Sequence, residues 1–198
     1  EPHAEVMALR EAGENARGAT AYVTLEPCAH YGRTPPCAKG LVDASVRSVI
    51  AAMYDPNPLV AGKGLGILAD AGIESAVGLL KENAEELNKG FLKRMRTGRP
   101  FVQLKLAMSI DGKTAMANGE SKWITGAQAR ADVQQYRAKA SAILSTSQTV
   151  LADNPSLNVR WAELPQEVQA RYIEQNLRQP VRVILDSSHK VRSDFNLF

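Results

Sequence analysis

The spacing of apolar and polar positions changes period several times along the chain, and each change marks an element. Ala4 to Ala12 reads as a helix stopped by Gly13. Thr20 to Glu26 switches to period two, with Ala21, Val23 and Leu25 set against Tyr22 and Thr24, which predicts a strand. Pro35-Pro36 stiffens the next loop, and Cys37 opens a helix to about Ala44. Val49 to Met53 is a continuous apolar run, as in a strand buried on both faces. Asp55-Pro56-Asn57-Pro58 is a turn. Lys63 to Ala71 predicts a helix closed by Gly72, and Ile73 to Val77 another strand. Leu79 to Met95 carries Ala84, Leu87, Phe91 and Met95 on one face of an amphipathic helix. Strands alternating with helices in this way predict a layered α/β domain.

Thr97-Gly98-Arg99-Pro100 is the best linker, dividing the chain into domains over 1–97 and 98–198 that are expected to touch. Beyond it, Phe101 to Ser109 alternates again, with Val102, Leu104, Leu106 and Met108 on one face, and predicts a strand before an Asp111-Gly112 turn. Thr125 and Gln128 form a capping box for a helix reaching Ala140, its buried stripe being Val133, Tyr136 and Ala140. Ala142 to Ser145 and Val181 to Leu185 read as short strands, and Leu157 to Trp161 as an extended segment. Asn154-Pro155 is a turn, Ala162 to Gln179 is polar and helix-compatible, and Ser187-Ser188 ends the last strand.

Composition adds limits. The 198 residues are 44% hydrophobic and 23% charged, ordinary for a globular protein with a real core. The net charge of +3 suits an anionic substrate and is too weak to argue for nucleic acid. No apolar run approaches the roughly 18 residues that a bilayer span needs, so no membrane role is expected. The chain opens with Glu1-Pro2 and no initiator Met, so it is expected to be trimmed.

The chemistry lies near the start. His3-Ala4-Glu5 is followed by Pro27-Cys28 and Pro36-Cys37. One imidazole and two thiols have the softness zinc prefers and leave a fourth tetrahedral position for water. Glu5, two residues from His3, can handle protons there without being a ligand. Such a set fits a zinc deaminase, in which a metal-acidified water attacks an amidine-like ring carbon and the Glu carries protons to the departing amine. Three other readings stay open at this level. His3 and Glu5 alone describe a capped helix start with an early acid; Cys28 and Cys37 alone could form a disulfide; and a fourth protein ligand such as His30 would make the site a closed, non-catalytic zinc module.

The loop Cys28-Ala29-His30-Tyr31-Gly32-Arg33-Thr34-Pro35-Pro36-Cys37 narrows the choice. With it the chain closely resembles the bifunctional riboflavin-pathway deaminase/reductase family of bacteria. Zinc deaminases of cytidine, guanine or tRNA adenosine are similar but usually have a shorter Pro-Cys-x-x-Cys. The resemblance extends through Gln103-Leu104-Lys105-Leu106-Ala107, Gly119-Glu120-Ser121-Lys122-Trp123-Ile124-Thr125 and the run from Thr149 to Arg160. It implies a cytidine-deaminase-like three-layer α/β domain followed by a domain similar to dihydrofolate reductase. His3, Cys28 and Cys37 become the zinc ligands and Glu5 the proton shuttle, with His30 and Arg33 as substrate contacts.

In the second domain the resemblance implies an NADPH site lined by Ala107, Trp123, Thr149, Asp153 and Ser187. No G-x-G-x-x-G supports a Rossmann site. Ser121, Arg137, Leu157 and Arg160 would meet a phosphorylated sugar, two guanidiniums suiting one phosphate. Asp153 would assist proton transfer. Singly, each has a plainer reading: Trp123 as core, Asp153 as a turn residue, Arg160 as surface. The resemblance further implies phosphoribosyl pyrimidine substrates, a cytoplasmic homo-oligomer, and additional chain at both ends, which would leave both sites incomplete here.

Overall fold

The computed structural model describes residues 2–32 and 35–198. It separates into two compact units, one ending at Leu104 and the other running Lys105–Phe198.

The first unit opens with helix α1 (Ala4–Ala12), ended by Gly13 at φ 52°, as the glycine predicted. Strand β1 (Thr20–Val23) follows, then α2 (Cys37–Asp43), β2 (Ser48–Ala51), α3 (Lys63–Asp70), β3 (Glu74–Val77) and α4 (Lys81–Thr97). The strands form one parallel sheet in the order β1-β2-β3, with Tyr22 opposite Ile50 and Ile50 opposite Ala76. Central β2 is the continuous apolar run, and its Val49 and Ala51 are fully buried. Leu41 and Val46 pack with Val49, Leu65, Leu68 and Ile73 in the main core, each worth roughly 1.5–3 kcal/mol where a large side chain is fully buried. A second cluster sets Ala84 and Leu92 of α4 against Ala52 and Met53, just past β2.

Two expectations shift here. β1 stops at Val23, so Leu25 and Glu26 lie beyond the ladder. On α4 the buried residues are Ala84 and Leu92, while Leu87, expected on the inward face, is 77% exposed.

The second unit contains α5 (Ala127–Lys139), β4 (Ala142–Thr146), α6 (Ser147–Asp153), α7 (Gln166–Arg171) and β5 (Val181–Leu185). β4 and β5 pair in parallel, Thr146 opposite Leu185. Val150, Leu157 and Leu197 form the core, with Ile143 and Ile184 packed on it.

Several predictions fail beyond the linker. Residues 101–109 form no strand, and Val102 and Leu104 are each 80% exposed. Alternation alone does not make a strand; a ladder partner must satisfy its N–H and C=O groups, and none of the described residues supplies one. Gly126, not Thr125, caps α5, without a side-chain bond. Its buried residue is Gln134, and Tyr136 is largely exposed. Leu157–Trp161 is not extended throughout: Leu157 has φ 49°, and a single-turn helix begins at Trp161. Between 162 and 179 the helical residues are the end of that turn, α7 and another single turn, Glu174–Asn176. The predicted Asp111-Gly112 turn is present, closed by the Gly112 N–H donating to the Ser109 carbonyl at 2.9 Å.

Candidate metal centre and a second polar cluster

Helix starts and strand ends bring the three soft donors together. His3 precedes α1, Cys28 lies in the loop beyond β1, and Cys37 opens α2. Their side-chain donor atoms all lie within 4.8 Å of one another. His3 Nδ1 is 3.2 Å from Cys37 Sγ and 3.6 Å from Cys28 Sγ. Both cysteines are free thiols, which excludes the disulfide reading. Hydrogen bonds join the two cysteine segments: the Cys37 N–H donates to Cys28 Sγ at 3.2 Å, and the Ala38 N–H to the Cys28 carbonyl at 3.2 Å. An N–H aimed at sulfur at a helix start favours the thiolate. In the absence of a cation, burial pushes the Cys37 thiol well above its ordinary range, and the nearby carboxylate of Glu5 and the Cys28 sulfur push further. That balance fits a metal cation: concentrated negative charge, soft donors and partial burial.

Glu5 is half-buried in the first turn of α1, close enough to Cys37 to act on its titration. Beside it a cavity of about 760 Å³ opens over His3, Glu5, Leu9, Ala21, Val23 and Cys28. His30 is exposed on the loop, where its charge acts on buried Asp55. It is not among the converging donors. Arg33 lies outside the described residues.

In the second unit the sequence-selected residues divide. Thr149, in α6, and Ser187, after β5, both emerge from the C-terminal end of the parallel pair, where open α/β sheets place ligands. Asp186, beside Ser187, accepts from the Lys190 and Val191 N–H groups at 3.1 and 2.9 Å. Asp153, the last residue of α6, is exposed. Ala107 is half-buried in the unpaired extended stretch. Trp123 is 70% exposed, with the Arg130 guanidinium 4.4 Å over its ring, so it is not core. Ser121 is half-buried just before it.

Arg137 and Arg160 do approach each other. Burial foremost, and then the Arg160 charge, hold the Arg137 guanidinium below its ordinary range. Arg137 donates to the Asn158 carbonyl at 2.9 Å. Arg160 is engaged by Glu163, with a bond of 2.8 Å from its NH2 group. Buried Gln134 bridges them, accepting from the Arg160 N–H at 3.1 Å and donating to Glu163 at 3.1 Å. The Leu157 side chain is core, packed with Val150. Sequence reasoning missed Glu163 and Gln134; only the three-residue spacing from Arg160 to Glu163 hinted at the pair.

Comparison with known proteins gives a family match in each half of the chain. Residues 1–53 match the cytidine and deoxycytidylate deaminase zinc-binding region, and residues 100–198 the RibD C-terminal domain. The Haemophilus influenzae riboflavin biosynthesis protein RibD is 70% identical over all 198 residues. The chain belongs to the RibD family. RibD of Escherichia coli strain K12 is 63% identical over 96% of the chain. Acinetobacter baumannii RibD superposes with a TM-score of 0.91 at 56% identity, over 100% of this chain and 53% of that one. The Thermotoga maritima diaminohydroxyphosphoribosylaminopyrimidine deaminase/5-amino-6-(5-phosphoribosylamino)uracil reductase gives 0.85 at 39% identity, with the same coverage. The fold is therefore cytidine-deaminase-like followed by the dihydrofolate-reductase-like RibD C-terminal type. The chain spans about half the length of these relatives: 53% of the Haemophilus protein and 52% of the Escherichia one. No helix among the described residues is long and apolar enough to cross a membrane.

Proposed function

We propose that the protein to which this chain belongs catalyses two consecutive steps of riboflavin synthesis. The first is hydrolytic removal of the 2-amino group of 2,5-diamino-6-(5-phosphoribosylamino)pyrimidin-4(3H)-one. The second is NADPH-dependent reduction of the ribosyl group of 5-amino-6-(5-phosphoribosylamino)uracil to ribityl. Residues 1–97 serve the first step and 98–198 the second. The carrying observation is the convergence of His3, Cys28 and Cys37 beside Glu5, in a chain whose second half is of the RibD C-terminal type.

His3, Cys28 and Cys37 would hold zinc, which when bound supplies Lewis-acid chemistry that lowers the pKa of water toward about 7. Glu5, on the cavity wall, would hold a proton on its carboxylate and pass it to the leaving amine nitrogen. His30 and Arg33 bind substrate from the loop. In the second unit, Thr149 and Ser187 lie where a dinucleotide phosphate or ribose is readily met, and Ala107, Trp123 and Asp153 complete the NADPH contacts. Ser121, Arg137, Arg160 and the Leu157 backbone hold the sugar phosphate, and Asp153 handles the proton that accompanies hydride. Asn158 Oδ1 is buried without a donor among the described residues, which suits a hydroxyl-bearing ligand. The protein acts in the cytoplasm as a homo-oligomer on small molecules, with no nucleic-acid partner.

The test uses the full-length protein. Ammonia release from the diaminopyrimidine phosphate should fall at least about 100-fold in Glu5→Gln, the range for a lost general acid–base. Undiminished release, or activity on tRNA adenosine in place of the pyrimidine, would overturn the assignment.

A further inference from the structure

Outside the donor cluster, the most elaborately bonded side chain of the first unit is Glu26. It is 3% exposed and sits two residues before Cys28. Among the described residues no cation pairs with it, and backbone N–H groups meet it instead. Oε2 accepts from Asp55 at 3.2 Å and from Gly62 at 2.9 Å. Oε1 accepts from Gly64 at 3.0 Å and from Leu65 at 3.4 Å. Gly62 is the N-cap of α3, and Gly64 and Leu65 are in its first turn. A carboxylate from a distant loop thus satisfies N–H groups that a helix start leaves orphaned, at the positive end of its dipole. Glu26 also ties its own backbone to the sheet, its N–H donating to the Met53 carbonyl at 3.0 Å.

The same helix start presses on the peptide that leads into Cys28. A Cβ placed on Gly64 would lie 1.9 Å from the Pro27 carbonyl oxygen and 3.1 Å from its carbon. Pro27 is itself fully buried. The stretch Glu26-Pro27-Cys28 is therefore held by its carboxylate on one side and by direct backbone contact on the other. From there Cys28 reaches the bonds that tie it to Cys37 and Ala38.

We propose that Glu26 is a positioning residue for Cys28, clamping the N-terminus of α3 against the Pro27–Cys28 peptide and so setting where that sulfur meets the metal. The inference rests on the reading of Cys28 as a metal ligand. Glu26 touches neither metal nor substrate; it acts through the backbone. In Glu26→Gln an amide NH2 would face N–H donors and lose bonds to the helix start, letting the loop drift. In Gly64→Ala the new methyl would push the Pro27 carbonyl away and move the same sulfur by a different route.

The experiment replaces zinc by cobalt in the full-length protein. It compares wild type, Glu26→Gln, Gly64→Ala and Cys28→Ser by visible d–d bands, the near-ultraviolet thiolate-to-cobalt band, and cobalt affinity. Both Glu26→Gln and Gly64→Ala should stay folded by circular dichroism and keep the thiolate band. Their d–d bands should shift, and affinity should drop about 10–100-fold, as for loss of an outer-shell partner. Wild-type bands and affinity in both variants overturn the proposal. So does unfolding of both without rescue by cobalt, since the role would then be global stability and not placement of one ligand. If one variant alone unfolds, the other decides by the same criteria. A thiolate band unchanged in Cys28→Ser rejects the ligand reading itself, a separate failure with its own signature.

Discussion

The Nδ1 atom of His3 lies 3.2 Å from the Sγ of Cys37, across 34 residues of sequence. This contact closes the donor set, because Cys28 and Cys37 are already linked through the backbone of their shared loop. The imidazole is carried at the start of α1, which packs on α2.

Removing that imidazole should therefore open the site without dissolving the loop. In His3→Ala, zinc affinity should fall by more than the roughly 10–100-fold seen when merely an outer-shell partner is lost. Competition against a chromogenic chelator, with zinc content by mass spectrometry, measures it. Equal affinity in the variant would mean that the metal is held elsewhere.

Asp55 gives a pH dependence with a defined sign. Burial raises its pKa above the ordinary aspartate value, helped by the Glu26 charge and opposed by the Asn57 N–H bond and by His30. The folded state thus holds this proton longer than the unfolded chain. Its contribution to stability is fully present below about pH 4, the unfolded value, and is lost as pH rises through the higher folded value. Asp55→Asn cannot ionise and keeps an oxygen for the Asn57 N–H, bonded at 2.8 Å in the parent. Its urea midpoint should rise relative to wild type as pH climbs through that window. A difference that is flat with pH, or of opposite slope, would contradict the assignment.

Gln134 is 1% exposed, with both ends of its amide in use. Gln134→Leu preserves bulk but strands the Arg160 N–H. The cost should be about 1–3 kcal/mol, the penalty for an unpaired buried polar group. Urea unfolding followed by hydrogen exchange at Arg160 measures both the loss and its location.

How much of this was legible in the sequence depended on whether the information was local. The α1 helix with its Gly13 stop and the start of α2 at Cys37 are short-range signals that formed where expected, and the apolar run from Val49 gave β2, which ends at Ala51, two residues short of Met53. The donor set was legible for a chemical reason, since few functions call for one imidazole and two thiols in such a pattern. The stretch from Val102 to Met108 has equally clear alternation and formed no strand, because a ladder also needs a neighbour. Glu26 was illegible for the converse reason. Its partners are backbone N–H groups 29 to 39 residues away, and a main-chain donor leaves no trace in residue identity. The Arg160–Glu163 pair was a weak local signal that only the buried Gln134 makes meaningful.

β1 and β2 run parallel, so the chain between them must cross over before a single rung can form, and that crossover contains Cys28 and Cys37. No hairpin can seed such a pairing; a long loop has to close first, and topologies of this kind are intrinsically slow to reach. The conformational search that sets strand register is thus the same search that gathers the sulfurs. An ion captured by both thiols would shorten it, so the metal's effect should be visible in the speed of refolding as well as in the finished molecule.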